Sequence, residues 1–343
     1  MSTPASASGN RPLRLGVIGC GRMGRLHARV CGQTPGVQVV GLYDIAPDAA
    51  AAVAEEFALP VKSTLEELLA GADAVVIAVP TQHHLPIAEQ CLGRRIACLI
   101  EKPLAKDIAG AKSIVELARK NHATVQVGHI ERFNPAIRAM SRLQIRPRFL
   151  EVTRISPMTF RSIDVGVVLD MMIHDIDIVL NLAESTVSKI DAIGVSVIGE
   201  VEDICNARLT FANGCVANLT ASRLAMRTDR RMRVFCTDAY VSIDYQKRHG
   251  TVIRRGGNIE AIRRAVAQIR AGEVEDLSQL NYKDLVHIEE LQIDDVEPLR
   301  AQLDAFVDAV KNGSRPVVSA EDGLHAVEVA QRIVKTIGPA TLG

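Results

Sequence analysis

The chain has 343 residues, more than one hydrophobic core usually holds, so two domains are expected. Lys plus Arg and Asp plus Glu number 40 each, so no net field favours nucleic acid or an anionic membrane, and a small-molecule partner is the class that remains. No apolar run approaches the roughly 18 residues that span a bilayer. Residues 1–12, MSTPASASGNRP, lack the basic start and apolar stretch of a secretion signal and read as a disordered tail on a cytoplasmic protein.

Leu13 to Ile18 is a short apolar run suited to a buried parallel strand, and it leads directly into Gly19-Cys20-Gly21-Arg22-Met23-Gly24. In GxGxxG the first glycine permits the tight turn, the second lets the backbone approach a pyrophosphate, and the third lets the next helix pack against the strand. That helix, from about Arg22 to Cys31, offers its amide end to the phosphates. A second strand, Val37 to Tyr43, ends in Asp44, 20 residues after Gly24, where a ribose would be bound. A carboxylate there accepts hydrogen bonds from the free ribose hydroxyls of NAD and repels the 2′-phosphate of NADP, and Ile45-Ala46 supply no arginine, so NAD is expected. The alternative is that Asp44 caps the helix starting near Pro47.

The alternation continues through helices at Ala46 to Phe57, Leu65 to Leu69, Leu85 to Leu92 and Ile108 to Asn121. Strands are expected at Ala74 to Val79, Ile96 to Ile100 and Thr124 to Val127. Repeated strand-helix units predict a doubly wound Rossmann sheet over residues 13–128, with ligands at the carboxyl ends of its strands. Pro80-Thr81-Gln82-His83-His84 follows one strand and Glu101-Lys102-Pro103 the next. Lys102 would then project where a nicotinamide belongs, unless it is an ordinary solvated lysine.

From about Arg148 the pattern changes to Val-, Ile- and Thr-rich strands: Phe149 to Ser156, Val187 to Ile198, Asp203 to Phe211, Cys215 to Ser222, Arg231 to Thr237 and Ala239 to Asp244. Asn213-Gly214 marks a hairpin turn between two of them. Residues 129–343 are therefore expected to form an α+β domain with a large, mostly antiparallel open sheet. Lys247 to Ala271, with Arg254, Arg255, Arg263, Arg264 and Arg270, reads as a solvated surface insertion or as a basic segment near substrate phosphates. Cys20, Cys31, Cys91, Cys98, Cys205, Cys215 and Cys236 form no CxxC pair and read as reduced core residues, with no metal site.

Within that domain, Val165 to Ala183 is apolar around most of its circumference. As an α-helix it would carry Asp170, His174, Asp177 and Asn181 within about 60° of one another. Ionisable groups on a buried helix are costly unless paired or used, so the stripe is a candidate site; the alternative is the wet face of an amphipathic helix.

The ordered motifs GCGRMG, VPTQHH, EKP, GHIERFNP and LDMMIHDID, with a closing stretch from Pro298 to Ile337, together resemble the glucose-fructose oxidoreductase/inositol dehydrogenase (Gfo/Idh/MocA) family. The resemblance implies that Lys102, Asp170 and His174 act at the reacting carbon, and Asp177 matches the last acid of the motif D-x-G-x-H-x-x-D. Met172 replaces its glycine. VGHIERFNP and DVGVVLDMMIHDID look most like the sugar-nucleotide 3-dehydrogenases. That likeness implies NAD-dependent oxidation of the 3-hydroxyl of a UDP-N-acetylhexosamine, with a partner aminotransferase making a diamino sugar for lipid A. The resemblance also implies that residues 129–343 bind substrate and form a homodimer or homotetramer.

Cofactor contacts are expected from Gly19 to Gly24, Asp44, Pro80, Thr81, His84, Glu101 and Lys102. Substrate contacts are expected from Lys102, Arg132, Asn134, Asp170, His174 and Asp177, although Arg132 could instead pair with Glu131. Oxidising an alcohol with NAD needs a base within reach of the hydroxyl proton. His174, oriented by Asp170 one turn earlier, is the expected base and Lys102 its partner, with the reversed roles also open. A polyol dehydrogenase and a cofactor-binding sensor without chemistry are the competing readings.

Overall fold

The computed structural model describes residues 11–159, 165–255, 259–272 and 286–338. The expected tail lies outside them except for Arg11 and Pro12, and so does Asp164 of the DVGVV stretch. The chain divides into two compact units, one formed by residues up to Phe133 with Val296–Gln331, the other by Asn134–Asp295 with the residues from Arg332 on.

In the first unit β1 (Leu13–Ile18) leads into α1 (Arg22–Gly32), followed by β2 (Val37–Tyr43), α2 (Pro47–Phe57), α3 (Leu65–Gly71), β3 (Ala74–Ile77) and α4 (His84–Gly93). Then come β4 (Ala97–Glu101), α5 (Ile108–Asn121) and β5 (Val125–Gly128). The strands pair in parallel in the order β2-β1-β3-β4-β5, and β3, β4 and β5 are buried at every position, as a sheet covered on both faces requires. Local chemistry sets the helix starts: Thr64 accepts the Glu67 amide ahead of α3, and Asp107 accepts the Gly110 amide at 2.7 Å ahead of α5.

In the second unit α6 (Pro135–Ser141) and β6 (Pro147–Ile155) precede α7 (Ile173–Ala183), after which β7 (Val187–Val195), β8 (Ile204–Phe211), β9 (Val216–Ser222), β10 (Asp229–Cys236) and β11 (Ala239–Asp244) follow. β12 (His249–Arg255), α8 (Ile259–Arg270) and β13 (Val286–Glu290) complete it. These strands form one sheet in the order β13-β12-β11-β10-β6-β9-β8-β7, antiparallel throughout except for the β6–β9 pair. The hairpin at Asn213-Gly214 forms as its composition predicts: Gly214 has φ +81°, and Asn213 Oδ1 accepts the Cys215 amide at 3.0 Å.

The basic segment from Lys247 to Ala271 carries elements its composition did not announce: β12 joins the sheet beside β11, and α8 follows. One expectation needs correction, because the chain does not divide at residue 129 for good. α9 (Pro298–Asn312) and the start of α10 (Ala320–Ile337) return to the first unit. Leu299, Leu303, Phe306 and Val307 form one stripe of α9, buried in a cluster with Leu15, Val17, Val30 and Leu42. Burying that stripe is the driving force, and it is indifferent to distance along the chain.

Candidate active site

The glycine loop follows β1 as expected. Gly19 adopts φ +90°, and a Cβ on Gly24 would lie 1.7 Å from the Gly19 carbonyl oxygen, so α1 can start this close to the turn only with glycine there. Gly21 is exposed and a Cβ on it would meet nothing within 4 Å, which leaves its backbone open to a ligand. Asp44 binds on both sides of its carboxylate: Oδ2 accepts the Cys20 amide at 2.7 Å, tying β2 to the loop, and Oδ1 accepts the Ala46 amide at 2.8 Å. The carboxylate expected at the ribose therefore also braces the turn into α2. Burial, with Asp44 adding to it, pushes the Cys20 thiol up to about 11, so the sulfur of the loop is an inert thiol.

The two strand ends are braced from below. Pro80 is exposed, and Thr81 opens a single 3₁₀ turn, Thr81–His83. His84 is buried, its Nε2 3.0 Å from the Val79 carbonyl oxygen and its Nδ1 3.0 Å from that of Pro103. Its ring thus bridges the end of β3 and the Glu101-Lys102-Pro103 turn. Burial pulls the pKa of His84 below its ordinary value, against the opposing pull of those carbonyls. Glu101 is also buried. Its Oε1 lies 2.7 Å from Nε2 of His27 on α1, and its Oε2 accepts the Lys102 amide at 3.3 Å. Burial alone would raise the Glu101 pKa, but His27 and Lys102 together hold it below the usual carboxylate value. Lys102 is half-buried directly after β4.

Arg132 lies in a 3₁₀ turn, Ile130–Phe133, half-buried, and the chain passes between the units immediately after it. Asn134 serves as the N-cap of α6, its Oδ1 accepting the Ala136 amide at 3.1 Å.

In the second unit the expected helix departs from α geometry at its start. Val168–Met172 is a π-helical turn, with the Ile173 amide donating to the Val168 carbonyl, before α7 begins. A π turn holds more residues than the 3.6 of an α-helix, so Asp170 falls closer to being in line with His174. Asp170 and His174 are half-buried, Asp177 is buried and Asn181 is exposed. The stripe is therefore not a uniformly wet face. Met172, in place of the motif's glycine, is wholly buried.

Around this helix stand residues the sequence reading missed. Arg154 on β6 and Asp175 on α7 form a buried pair, and Arg223 with Asp203 forms another, at 2.6 Å. The signal for the first was legible, since Arg154 shares the inward register of β6 with Leu150 and Val152, and a charge on an apolar face calls for a partner.

The family comparison can now be set beside this geometry. Residues 13–129 match the model of an oxidoreductase family with an NAD-binding Rossmann fold, and residues 146–242 match the GFO/IDH/MocA C-terminal domain. The chain belongs to the Gfo/Idh/MocA oxidoreductase family. It is 36% identical over 274 residues to UDP-N-acetylglucosamine 3-dehydrogenase of Acidithiobacillus ferrooxidans, covering 77% of this chain and 87% of that one. The solved structure of that enzyme superimposes with a TM-score of 0.84 at 30% identity, over 95% of this chain and 97% of that one. Inositol 2-dehydrogenase of Rhizobium meliloti is 25% identical over 343 residues, covering 95% and 97%. The chain is an NAD-dependent dehydrogenase. The glycine loop and Asp44 fit that cofactor, since the loop leaves backbone open at Gly21 and the strand end supplies a carboxylate. Among the described residues, no helix is long and apolar enough to cross a membrane.

Proposed function

We infer that this dehydrogenase oxidises the 3-hydroxyl of UDP-N-acetylglucosamine to a ketone, and that the product feeds a transamination toward a diamino sugar of lipid A. The 36% identity to an enzyme of that name over 274 residues carries the reading. NAD, when bound, supplies the hydride acceptor. Gly19 to Gly24 and the first amides of α1 would bind its pyrophosphate, and Asp44 would bind the ribose hydroxyls. His174 takes the proton from the substrate hydroxyl, with Asp170, one turn earlier, orienting the ring and stabilising its protonated form. Lys102 orients the same hydroxyl, and Asp177 anchors the helix that carries His174.

The similarity to inositol 2-dehydrogenase, at 25% over 95% of this chain, favours a second reading, oxidation of a free polyol. NADH formation followed at 340 nm with UDP-N-acetylglucosamine, myo-inositol and glucose separates the two. Turnover with the sugar nucleotide alone is the expected result. Turnover with myo-inositol alone would overturn the first reading, and binding of NAD without turnover of any alcohol would favour a sensor.

A further inference from the structure

His174 has as its next neighbour in sequence a carboxylate that the fold turns inward. Asp175 Oδ2 accepts a hydrogen bond from Arg154 Nε at 2.8 Å, and Oδ1 accepts one from Arg154 Nη2 at 2.7 Å. The side chains are only 4% and 2% exposed, and the ring of Tyr245 lies 5.9 Å from the guanidinium carbon. Two ions lose their hydration in such a place, and packed apolar side chains of similar volume often stabilise as well or better. Stability alone is therefore a poor reason for the pair. What the fork supplies and apolar packing does not is direction, because two parallel bonds between planar groups admit one relative orientation.

Arg154 belongs to β6 and Asp175 to α7, so that orientation sets how far the helix is turned about its own axis on the sheet. A residue one position away on a helix turns with it. The start of the same helix is held from the β7–β8 connection: Glu202 Oε1 accepts the Val168 amide at 3.1 Å, and the Glu202 carbonyl accepts the Val167 amide at 3.0 Å. Gly166 packs so closely there that a Cβ would lie 2.0 Å from Glu202 Oε1. Arg223 Nη1 donates to the Val165 carbonyl at 2.9 Å while its Nε binds Asp203. Those contacts pin the end of the helix, and the Arg154–Asp175 fork sets its rotation.

We propose that Arg154 and Asp175 are positioning residues for His174: the buried fork fixes the rotation of α7 on β6 and thereby aims the imidazole at the substrate hydroxyl. The proposal rests on His174 being the base.

The test compares the full-length parent with Arg154→Lys, the double variant Arg154→Met/Asp175→Leu, and His174→Ala, using whichever alcohol the parent oxidises. Arg154→Lys keeps the charge and loses the fork. Its kcat is expected to fall about ten- to a hundred-fold, since small misplacements of a reacting group carry such costs, while NAD affinity stays within about two-fold. The double variant removes both ions. Its Tm is expected within about 4 °C of the parent, with kcat still down on the order of a hundred-fold, and its crystal structure should show α7 turned relative to β6. Parent-like kcat in a double variant of parent-like Tm, or an unturned α7, would show the pair to be merely structural and overturn the proposal. Should the double variant not fold, parent-like kcat in Arg154→Lys overturns it equally. A parent-like rate in His174→Ala sinks the base assignment instead, whereas a lost rate there beside an active double variant sinks only the positioning role.

Discussion

In the first unit, the groups proposed to handle the cofactor stand on strand ends and in one loop, held mostly by short links to main chain, with the His27–Glu101 pair as the side-chain exception. Asp44 takes the Cys20 amide, His84 reaches the Val79 and Pro103 carbonyls, and Glu101 accepts the amide of Lys102 itself. In the second unit, Asp170 and His174 stand on a helix whose orientation depends on side-chain ions brought together from different elements: Arg154 with Asp175, and Arg223 with Asp203. Main-chain bracing keeps a site in place with little dependence on any one distant residue. Ion-pair bracing concentrates the dependence in one or two side chains, because losing one partner leaves the other charged, buried and unmatched.

Substitutions that remove the reacting groups test the two regions most severely. His174→Ala and Lys102→Ala should each lower kcat on the order of 10²- to 10⁴-fold in steady-state assays, with NAD affinity kept in His174→Ala. If only one of them mattered, the chemistry would reside in one unit. Gly24→Ala comes next. Its Cβ would collide with the Gly19 carbonyl at 1.7 Å, so the loop must shift. NAD affinity should fall by more than about ten-fold in a fluorescence titration, roughly 1.4 kcal/mol.

Asp44→Ala removes the acceptor for the Cys20 amide and the repulsion of a 2′-phosphate together. It should lower NAD affinity roughly ten-fold and narrow the preference for NAD over NADP, as measured with both cofactors side by side. An unchanged preference would leave Asp44 as only the brace of the turn into α2.

The smallest effect concerns acid stability. The folded chain holds Glu101 below its ordinary value of 4.5, so it binds fewer protons than the unfolded chain in the window beneath that value. Its contribution is complete above about pH 4.5 and is lost as pH falls through the folded value. Tm measured against pH should therefore drop less steeply below pH 4.5 in Glu101→Gln than in the parent. An identical acid limb would remove the His27–Glu101 contact from the account.

The same contrast decides how much was legible in the chain. β1, β2, α5 and β11 lie where their patterns predict, to the residue, and the glycine loop, the NAD cofactor and the family follow from motifs whose parts are close in sequence. Such features rest on local geometry, such as a positive φ at Gly19 or a carboxylate at a strand end, which few residue types satisfy. The periodicity of Val165 to Ala183 likewise marked a helix with polar groups at i, i+4 and i+7.

What the sequence by itself determined, then, is the fold class of each sheet, the cofactor and the identity of the candidate reacting groups; the strand order, β12, β13 and the parallel β6–β9 pair were not legible in it. Only the tertiary structure decided that α9 returns to the first unit, that Glu101 turns inward to His27, that a π turn precedes His174, and that Arg154 meets Asp175. The reason is physical. A burying stripe finds the core that fits it, and a buried ion finds the counter-ion that packing brings within reach, whatever the number of residues between them.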